Sequence, residues 1–220
     1  MLNVVCVLKA GRFEQAIYKD GYTPEDVLRL RNMVADNLTI PHRFICFSDV
    51  DVPCERIPLK NNWPGWWSKI EMFSEVFDDT VLYIDLDTVI AGDISHFADY
   101  NHQFTMLRDF GSWNVPNSGL MAWKGDYSFL YKTFTEGVDK YMIEYNKAPR
   151  LGDQSFISER QKPYSFWQEV FPDQVFSYKK HIMGKPKPAD VRVVCFHGEP
   201  KGSGSGGWVK EIWSKANGRG

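Results

Sequence analysis

At 220 residues and 43% hydrophobic, the chain is long enough to bury one sizeable core. Its formal net charge of −2 excludes a global basic field for nucleic acid or anionic membrane, and no apolar run approaches the roughly 20 residues of a membrane span. Four cysteines without a C-x-x-C spacing, and no basic leader ahead of the first apolar run, fit a reducing, cytoplasmic setting.

The continuous apolarity of Leu2–Leu8 predicts a strand buried on both faces. The loop that follows, Lys9-Ala10-Gly11-Arg12, would lie at a strand's carboxyl end, where open α/β sheets place ligands; a plain surface connection is the alternative. Thr23-Pro24-Glu25-Asp26 has the form of a helix start: a capping threonine, proline at the first helical position, then acids. Val27, Leu30, Val34 and Leu38 recur at helical spacing and give that helix one inward face. Phe44–Phe47 is a second strand and Arg56–Leu59 a short third one. Between Asn61 and Phe77, Trp66, Trp67, Ile70, Phe73 and Phe77 fit one helical stripe, and Lys69 lies just off it, free to turn toward a ligand or into solvent.

Val81-Leu82-Tyr83-Ile84 is a β-favouring apolar run followed by Asp85-Leu86-Asp87. Residues two apart on a strand share a face, so the two carboxylates should leave the strand end together with Leu86 turned away. Paired carboxylates repel one another, and a divalent cation relieves that repulsion, Mg²⁺ and Mn²⁺ preferring such oxygen ligands. Asp-x-Asp alone is a weak signal, and the chain has a second, Asp49-Val50-Asp51; a strand-end turn with two solvated acids is the plain alternative. The longer buried strand before Asp85 and the β-branched run after it favour the Asp85/Asp87 pair.

Gln103–Leu107 is another short strand. Asn117-Ser118-Gly119 resembles a turn feeding a strand, with side chains small enough for close approach of a ligand. Tyr127–Tyr145 keeps a 3.6-residue apolar stripe over five turns and predicts the chain's clearest helix. Asp153 either caps the next helix or reaches into a cleft. Lys179, Lys180, His181, Lys185 and Lys187 form a small basic patch, solvated or facing an anionic ligand. Val191–Phe196 is a last buried strand with His197-Gly198 at its end. The Gly/Ser stretch at 202–207 reads as a flexible lid or an introduced linker. Trp208–Trp213 is a short amphipathic terminal helix. Strand, helix and strand in alternation predict an α/β fold, a single Rossmann-like domain over residues 1–220 with a mainly parallel central sheet flanked by helices.

Five pieces in order resemble the GT-A glycosyltransferases, specifically the glycogenin-like and galactinol-synthase-like group called family 8. They are Val4–Arg12, the Trp66–Phe77 segment leading into Val81–Thr88, Asn117-Ser118-Gly119, Gly152-Asp153-Gln154, and Val194-Cys195-Phe196-His197-Gly198. The resemblance implies a metal-dependent transferase that moves a sugar from a nucleotide-sugar, UDP-linked, to an unknown acceptor with retention of configuration. It implies Asp85, Asp87 and His197 as ligands of Mn²⁺ (or Mg²⁺). Lys69, Asp153 and Gln154 are implied as catalytic. Leu8, Lys9, Arg12, Lys69, Leu86, Asn117, Ser118, Gly198 and Lys201 are implied as the donor-binding set. The chain departs from the family at Lys201-Gly202-Ser203, where Lys-Pro-Trp is usual, and carries Leu86 where the family's motif usually has alanine. Two further classes remain open: a catalytically inactive nucleotide- or sugar-binding module, and a metal-dependent nucleotidyltransferase or phosphohydrolase. No Walker-type G-x-x-x-x-G-K supports the latter.

Overall fold

A computed structural model describes residues 1–10, 21–111 and 115–217. The predicted first strand is β1, Leu2–Leu8, and every residue in it is buried. Its side chains alternate between two cores. Leu2, Val4, Cys6 and Leu8 join one cluster, and Val5 and Val7 join the other. Full burial of such a side chain contributes about 1.5–3 kcal/mol. With both faces covered, the strand is apolar apart from Asn3, whose buried amide is held by the Thr80 carbonyl at 3.5 Å and by Arg43 at 3.3 Å.

Helix α1, Pro24–Asn37, begins as its residues predict. The Thr23 N–H donates to the Asp26 carboxylate at 2.8 Å, one half of a capping box. Val27, Leu30, Met33 and Val34 are its buried stripe. Strands β2 (His42–Ser48) and β3 (Glu55–Pro58) follow. A 3₁₀ helix, Gly65–Ser74, leads to β4 (Val81–Ile84) and the short β5 (Val89–Ile90). Next come α2 (Ser95–Asp99), β6 (Phe104–Arg108), β7 (Pro116–Trp123), α3 (Ser128–Thr135), α4 (Val138–Glu144) and α5 (Gly152–Arg160). The chain then forms β8 (Ser165–Phe166), α6 (Trp167–Val170), β9 (Val175–Ser177), β10 (Val193–Cys195) and α7 (Gly207–Asn217).

The large sheet has the order β3-β2-β1-β4-β7-β6-β8, parallel from β3 to β4 and antiparallel around β7. Strand order reverses between β1 and β4, which opens a crevice at their carboxyl ends. One core, with α1 and α7, covers one face; the other, with the 3₁₀ helix, α3 and α5, covers the opposite face. A small second sheet, β5-β10-β9, continues the chain beyond the Asp85–Asp87 turn. Among the described residues no helix is long and apolar enough to cross a membrane.

Four local expectations differ from what forms. The helix expected over Tyr127–Tyr145 divides into α3 and α4 at Gly137, whose φ of −161° and ψ of 50° are not helical. Glycine has the most backbone freedom to lose in a helix, and none of the α4 residues is buried deeply enough to hold the two halves in line. The Trp66–Phe77 stripe has the wrong period. A 3₁₀ turn holds three residues, so Trp67, Ile70 and Phe73 stack on one buried face while Trp66 falls off it and stays 43% exposed. Asn117-Ser118-Gly119 lies inside β7, not in a turn before it, beside an irregularity in the pairing at Met106/Leu107. The 202–207 stretch, expected to be flexible, folds at Gly202–Gly204 into a 3₁₀ turn in which the Ser205 hydroxyl donates to the Gly202 carbonyl. Gly202 is buried against Trp213, and a Cβ there would lie 2.2 Å from the indole, which accounts for glycine at this position.

A pH effect on stability follows from His102, buried just ahead of β6. Its Nε2 lies 2.6 Å from the Phe97 carbonyl oxygen and its Nδ1 lies 2.7 Å from the Thr105 hydroxyl. A carbonyl only accepts, so Nε2 carries the proton and Nδ1 accepts from Thr105, leaving the ring neutral and satisfied. Burial pushes its pKa below the ordinary 6.5, against a smaller opposing influence from the Phe97 carbonyl. Its stabilising contribution is therefore complete above the unfolded value and is lost as pH falls through it toward the depressed folded value. The wild-type Tm should fall more between pH 7.5 and pH 5 than that of His102→Gln; equal falls would remove this account.

Candidate active site

The acidic motif forms locally. Asp85 follows β4 directly, its N–H donates to the Gly119 carbonyl at 2.9 Å, and the Thr88 N–H closes a turn onto the Asp85 carbonyl at 3.1 Å. Asp85 and Asp87 thus leave a turn just beyond the strand, and Leu86 between them is buried in the core. Tyr83, two residues earlier on the strand and so on the same face as Asp85, donates its hydroxyl to Asp85 Oδ1 at 2.6 Å.

Distant segments supply the positive charge. The Lys69 ammonium lies 3.1 Å from Asp85 Oδ1, 3.4 Å from Asp153 Oδ2 and 3.1 Å from the Ser118 hydroxyl. Ser118 in turn donates to Asp153 Oδ2 at 2.6 Å. The Lys201 ammonium lies 2.6 Å from Asp87 Oδ2, and the Tyr22 hydroxyl donates to the same oxygen at 2.7 Å. Burial alone would discharge Lys69, but Asp153 and Asp85 outweigh it and hold the ammonium charged. Burial pushes the Asp153 carboxyl up, and Lys69 and Ser118 pull it back. Burial, with Asp87 and Asp85 beside it, pushes the Tyr22 phenol far up, so it stays a donor.

These groups border one cleft of about 500 Å³, together with Lys9, Leu86, Asn117, Gln154, His197 and Gly198. That size suits a small-molecule or cofactor site. The pairing of β5 with β10, Val89 opposite Val194, runs antiparallel and carries the chain after Cys195 back past Asp87. This is how His197, far away in sequence, comes to the same cleft. Gly198 takes a φ of 68°, which favours glycine, and turns the chain toward Lys201.

Other expected residues have different settings. Lys9 is held by Asp49 at 2.5 Å, and the Ala10 N–H also donates to Asp49. The second acidic triplet is therefore divided: Asp49 fastens the loop after β1, and Asp51 pairs with Arg56 at 3.1 Å. Leu8 is fully buried in the core beneath that loop. Arg12 lies outside the described residues. Asp153 is not the cap of α5, whose N-cap is Leu151; it sits in the first turn and turns its carboxylate to Ser118. Asn117 accepts from the Gly119 N–H at 2.8 Å, which shapes its own segment of β7. The π-helical turn Tyr178–Ile182 holds the first part of the basic patch, where the Lys180 N–H donates to the Ser177 hydroxyl.

Two carboxylates and an imidazole fit a divalent cation such as Mn²⁺ by donor chemistry. Two carboxylates leave one turn, and the His197 imidazole lines the same cleft, its pKa lowered chiefly by burial so that the ring is neutral. They are not drawn together as a cluster: among the described residues no three His, Cys, Asp or Glu side chains stand close enough to hold an ion. The His197 Nε2 is hydrogen-bonded to the Ser177 hydroxyl at 2.6 Å, and one oxygen of Asp87 faces the Lys201 ammonium. Sequence reasoning missed Tyr22 and Tyr83, and also Trp66, which lines the same cleft. Strand alternation was signal enough for Tyr83; nothing local marks Tyr22, which lies in the segment ahead of α1.

No family model matches this sequence, and no curated protein matches it either. Solved structures do match. The glycosyltransferase GlyE of Streptococcus pneumoniae TIGR4 superposes with a TM-score of 0.70 at 14% identity, over 99% of this chain and 60% of GlyE. The galactosyltransferase LgtC, in complex with donor and acceptor sugar analogues, superposes with a TM-score of 0.64 at 10% identity, over 98% of this chain and 95% of LgtC. WbbM, described as a bifunctional glycosyltransferase, gives 0.62 at 11% identity, over 99% of this chain and 50% of WbbM. The chain thus spans 60% of the length of GlyE and half that of WbbM. At these identities the likeness establishes the fold, the α/β arrangement of the GT-A glycosyltransferases.

Proposed function

We propose that this chain is a metal-dependent glycosyltransferase of the family 8 kind, taking a sugar from a UDP-linked donor to a hydroxyl acceptor with retention of configuration. The observation that supports it most is the meeting of Asp85, Asp87 and Asp153 with Lys69 and Lys201 in one cleft at the carboxyl ends of β1 and β4. Asp85, Asp87 and His197 would hold Mn²⁺ or Mg²⁺, which when bound offsets the charge that grows on a departing diphosphate. Lys201, beside Asp87, places its ammonium at that same end of the cleft, where negative charge develops. Lys69 joins Asp85 to Asp153, so the donor sugar belongs alongside this group, against Asn117 and Ser118. Asp153, held by Lys69 and Ser118, and its neighbour Gln154 are placed to support an oxocarbenium-like anomeric carbon.

The reading of a non-catalytic binding module has one observation in its favour, the Gly202-Ser203 that follows Lys201 in place of Pro-Trp. Against it, Lys201 still reaches Asp87. A thermal-shift panel of nucleotides and nucleotide-sugars, each with and without Mn²⁺, tests the proposal. At about a hundredfold excess over Kd a ligand adds about 2.7 kcal/mol, a Tm rise of roughly 5–10 °C in a chain of this size. The rise is expected for UDP and UDP-sugars and only with the metal. A panel that responds to nucleoside triphosphates instead, or to nothing, would sink the proposal. UDP release from the stabilising donor then separates an enzyme from an inactive binder.

A further inference from the structure

Trp66 has the environment of a ligand platform and lacks that of a core residue. Along the 3₁₀ helix, residues three apart share a face, so Trp66 and Lys69 stand one above the other while Trp67 and Ile70 point into the core. One turn rises about 6 Å, close to the width of a single sugar ring. Lys69 reaches Asp85 and Asp153; Trp66, one turn earlier, lines the same cleft farther along, with Pro64, Met142 and Asn146. Trp66 is 43% exposed, and its side chain is among the largest apolar ones left open to solvent.

The residue against which it rests is unusual. Gly152 has a φ of 63°, and a Cβ built on it would lie 2.4 Å from Trp66 Nε1 and 2.9 Å from Cδ1 and Cε2. The five-membered edge of the indole therefore sits directly over the backbone that delivers Asp153 and Gln154. Only glycine both adopts that φ without strain and leaves room for the ring. The indole is fixed along one edge, open in the cleft, and one residue away from the group placed beside the reacting carbon.

The geometry points to an acceptor subsite for a pyranose ring, stacked on Trp66, so that the acceptor of this chain is a carbohydrate hydroxyl and not that of a peptide or a simple alcohol. The inference rests on the reading of the cleft as a sugar-transfer site. A pyranose presents a face of C–H groups, which suits an exposed indole, and its hydroxyls suit the polar groups that share the wall, Asn146 and Gln154. Asp85, Asp87 and Lys201 take the diphosphate end of the cleft, and Lys69 with Asp153 flanks the donor sugar. The ring over Trp66 is then the next one along, on the far side of the bond being exchanged.

The test measures donor hydrolysis without acceptor and transfer to methyl glycosides, glycerol and a serine peptide, in wild type, Trp66→Ala and Trp66→Phe. Glycosides should be taken in preference. Trp66→Ala should raise the KM for the glycoside about tenfold without raising the KM for the donor, and be partly rescued by Trp66→Phe. An unchanged acceptor KM, a preference for the peptide or glycerol, or a raised donor KM would overturn it, the last by placing the donor ring there. The absence of both donor hydrolysis and transfer in wild type would overturn the transferase reading itself. In that case the indole N–H resonance of Trp66, identified by its loss in Trp66→Phe, still decides the subsite. It should shift on titration with methyl glycosides and stay unmoved by glycerol, and a resonance indifferent to the glycosides would refute ring binding.

Discussion

Asp87→Asn is expected to lower donor hydrolysis and transfer about 10²- to 10³-fold with little change in Tm. The amide has the shape of the carboxylate but not its charge. Asp87 is one of the two acids that would share the cation, and its Oδ2 accepts from both Lys201 and Tyr22. Removing one preorganised charge from a site where charge develops in the transition state typically costs a factor of this size. The fold should tolerate the change because Asp87 makes these contacts in the cleft, while Leu86 beside it holds the turn in the core. UDP affinity in the Asp87→Asn variant should also lose most of its dependence on Mn²⁺. Turnover equal to wild type, or undiminished metal dependence of UDP binding, would remove the two acids from the mechanism.

Lys69→Ala should damage both stability and turnover, and a second substitution should separate the two. Lys69 is largely buried, and its removal leaves Asp153, also buried, beside Asp85 with no cation between them. Breaking a buried pair by deleting one partner costs about 3–5 kcal/mol, because the remaining charge is uncompensated. Burial already pushes Asp153 upward in pKa, so in the variant it would take up a proton at higher pH than in wild type. In the double variant Lys69→Ala/Asp153→Asn the neutral amide no longer needs a counter-ion, and most of the lost stability should return. Activity should not return, since the lysine also faces the donor. Urea unfolding of the two single variants and the double gives the coupling directly. Strict additivity of the single losses would mean that Lys69 and Asp153 do not act as a pair.

Both predictions concern groups of which only part was visible from the linear chain. The acid pair was visible because its geometry is local: a strand runs into a turn, and a hydrogen bond from Thr88 to Asp85 closes it. Asp153 was visible as an acid at a helix start, yet its two possible roles could not be separated, since capping and reaching into a cleft use the same position in sequence. Lys69 stood off an apolar stripe, which is also where a solvated lysine stands. The stripe itself had the wrong period, because a run of ten residues with tryptophans three and four from the next apolar positions fits 3.6 and 3.0 residues per turn nearly as well. Packing chose the tighter helix, and that choice put Trp66 on the face of Lys69.

The chain's own residue order determined the elements whose cause lies within a few positions. These are β1 from its largely apolar run, α1 from its capping threonine, first-turn proline and Val27–Val34 face, and β4 with the acids that follow it. It also determined the α/β class, because alternating strands and helices with both sheet faces covered leave few other arrangements. Only the tertiary structure decided which groups meet those acids. Tyr22 comes from 65 residues before Asp87, Lys201 from 114 after it, and Lys69 from 16 before Asp85. Strand order, the antiparallel return of β10 along β5 and the packing of Gly202 on Trp213 bring them there. A lysine's neighbours in sequence are the same whether it faces water or a buried carboxylate. What distinguishes the two cases is the free energy of contacts between distant segments, and those exist only once the chain has folded.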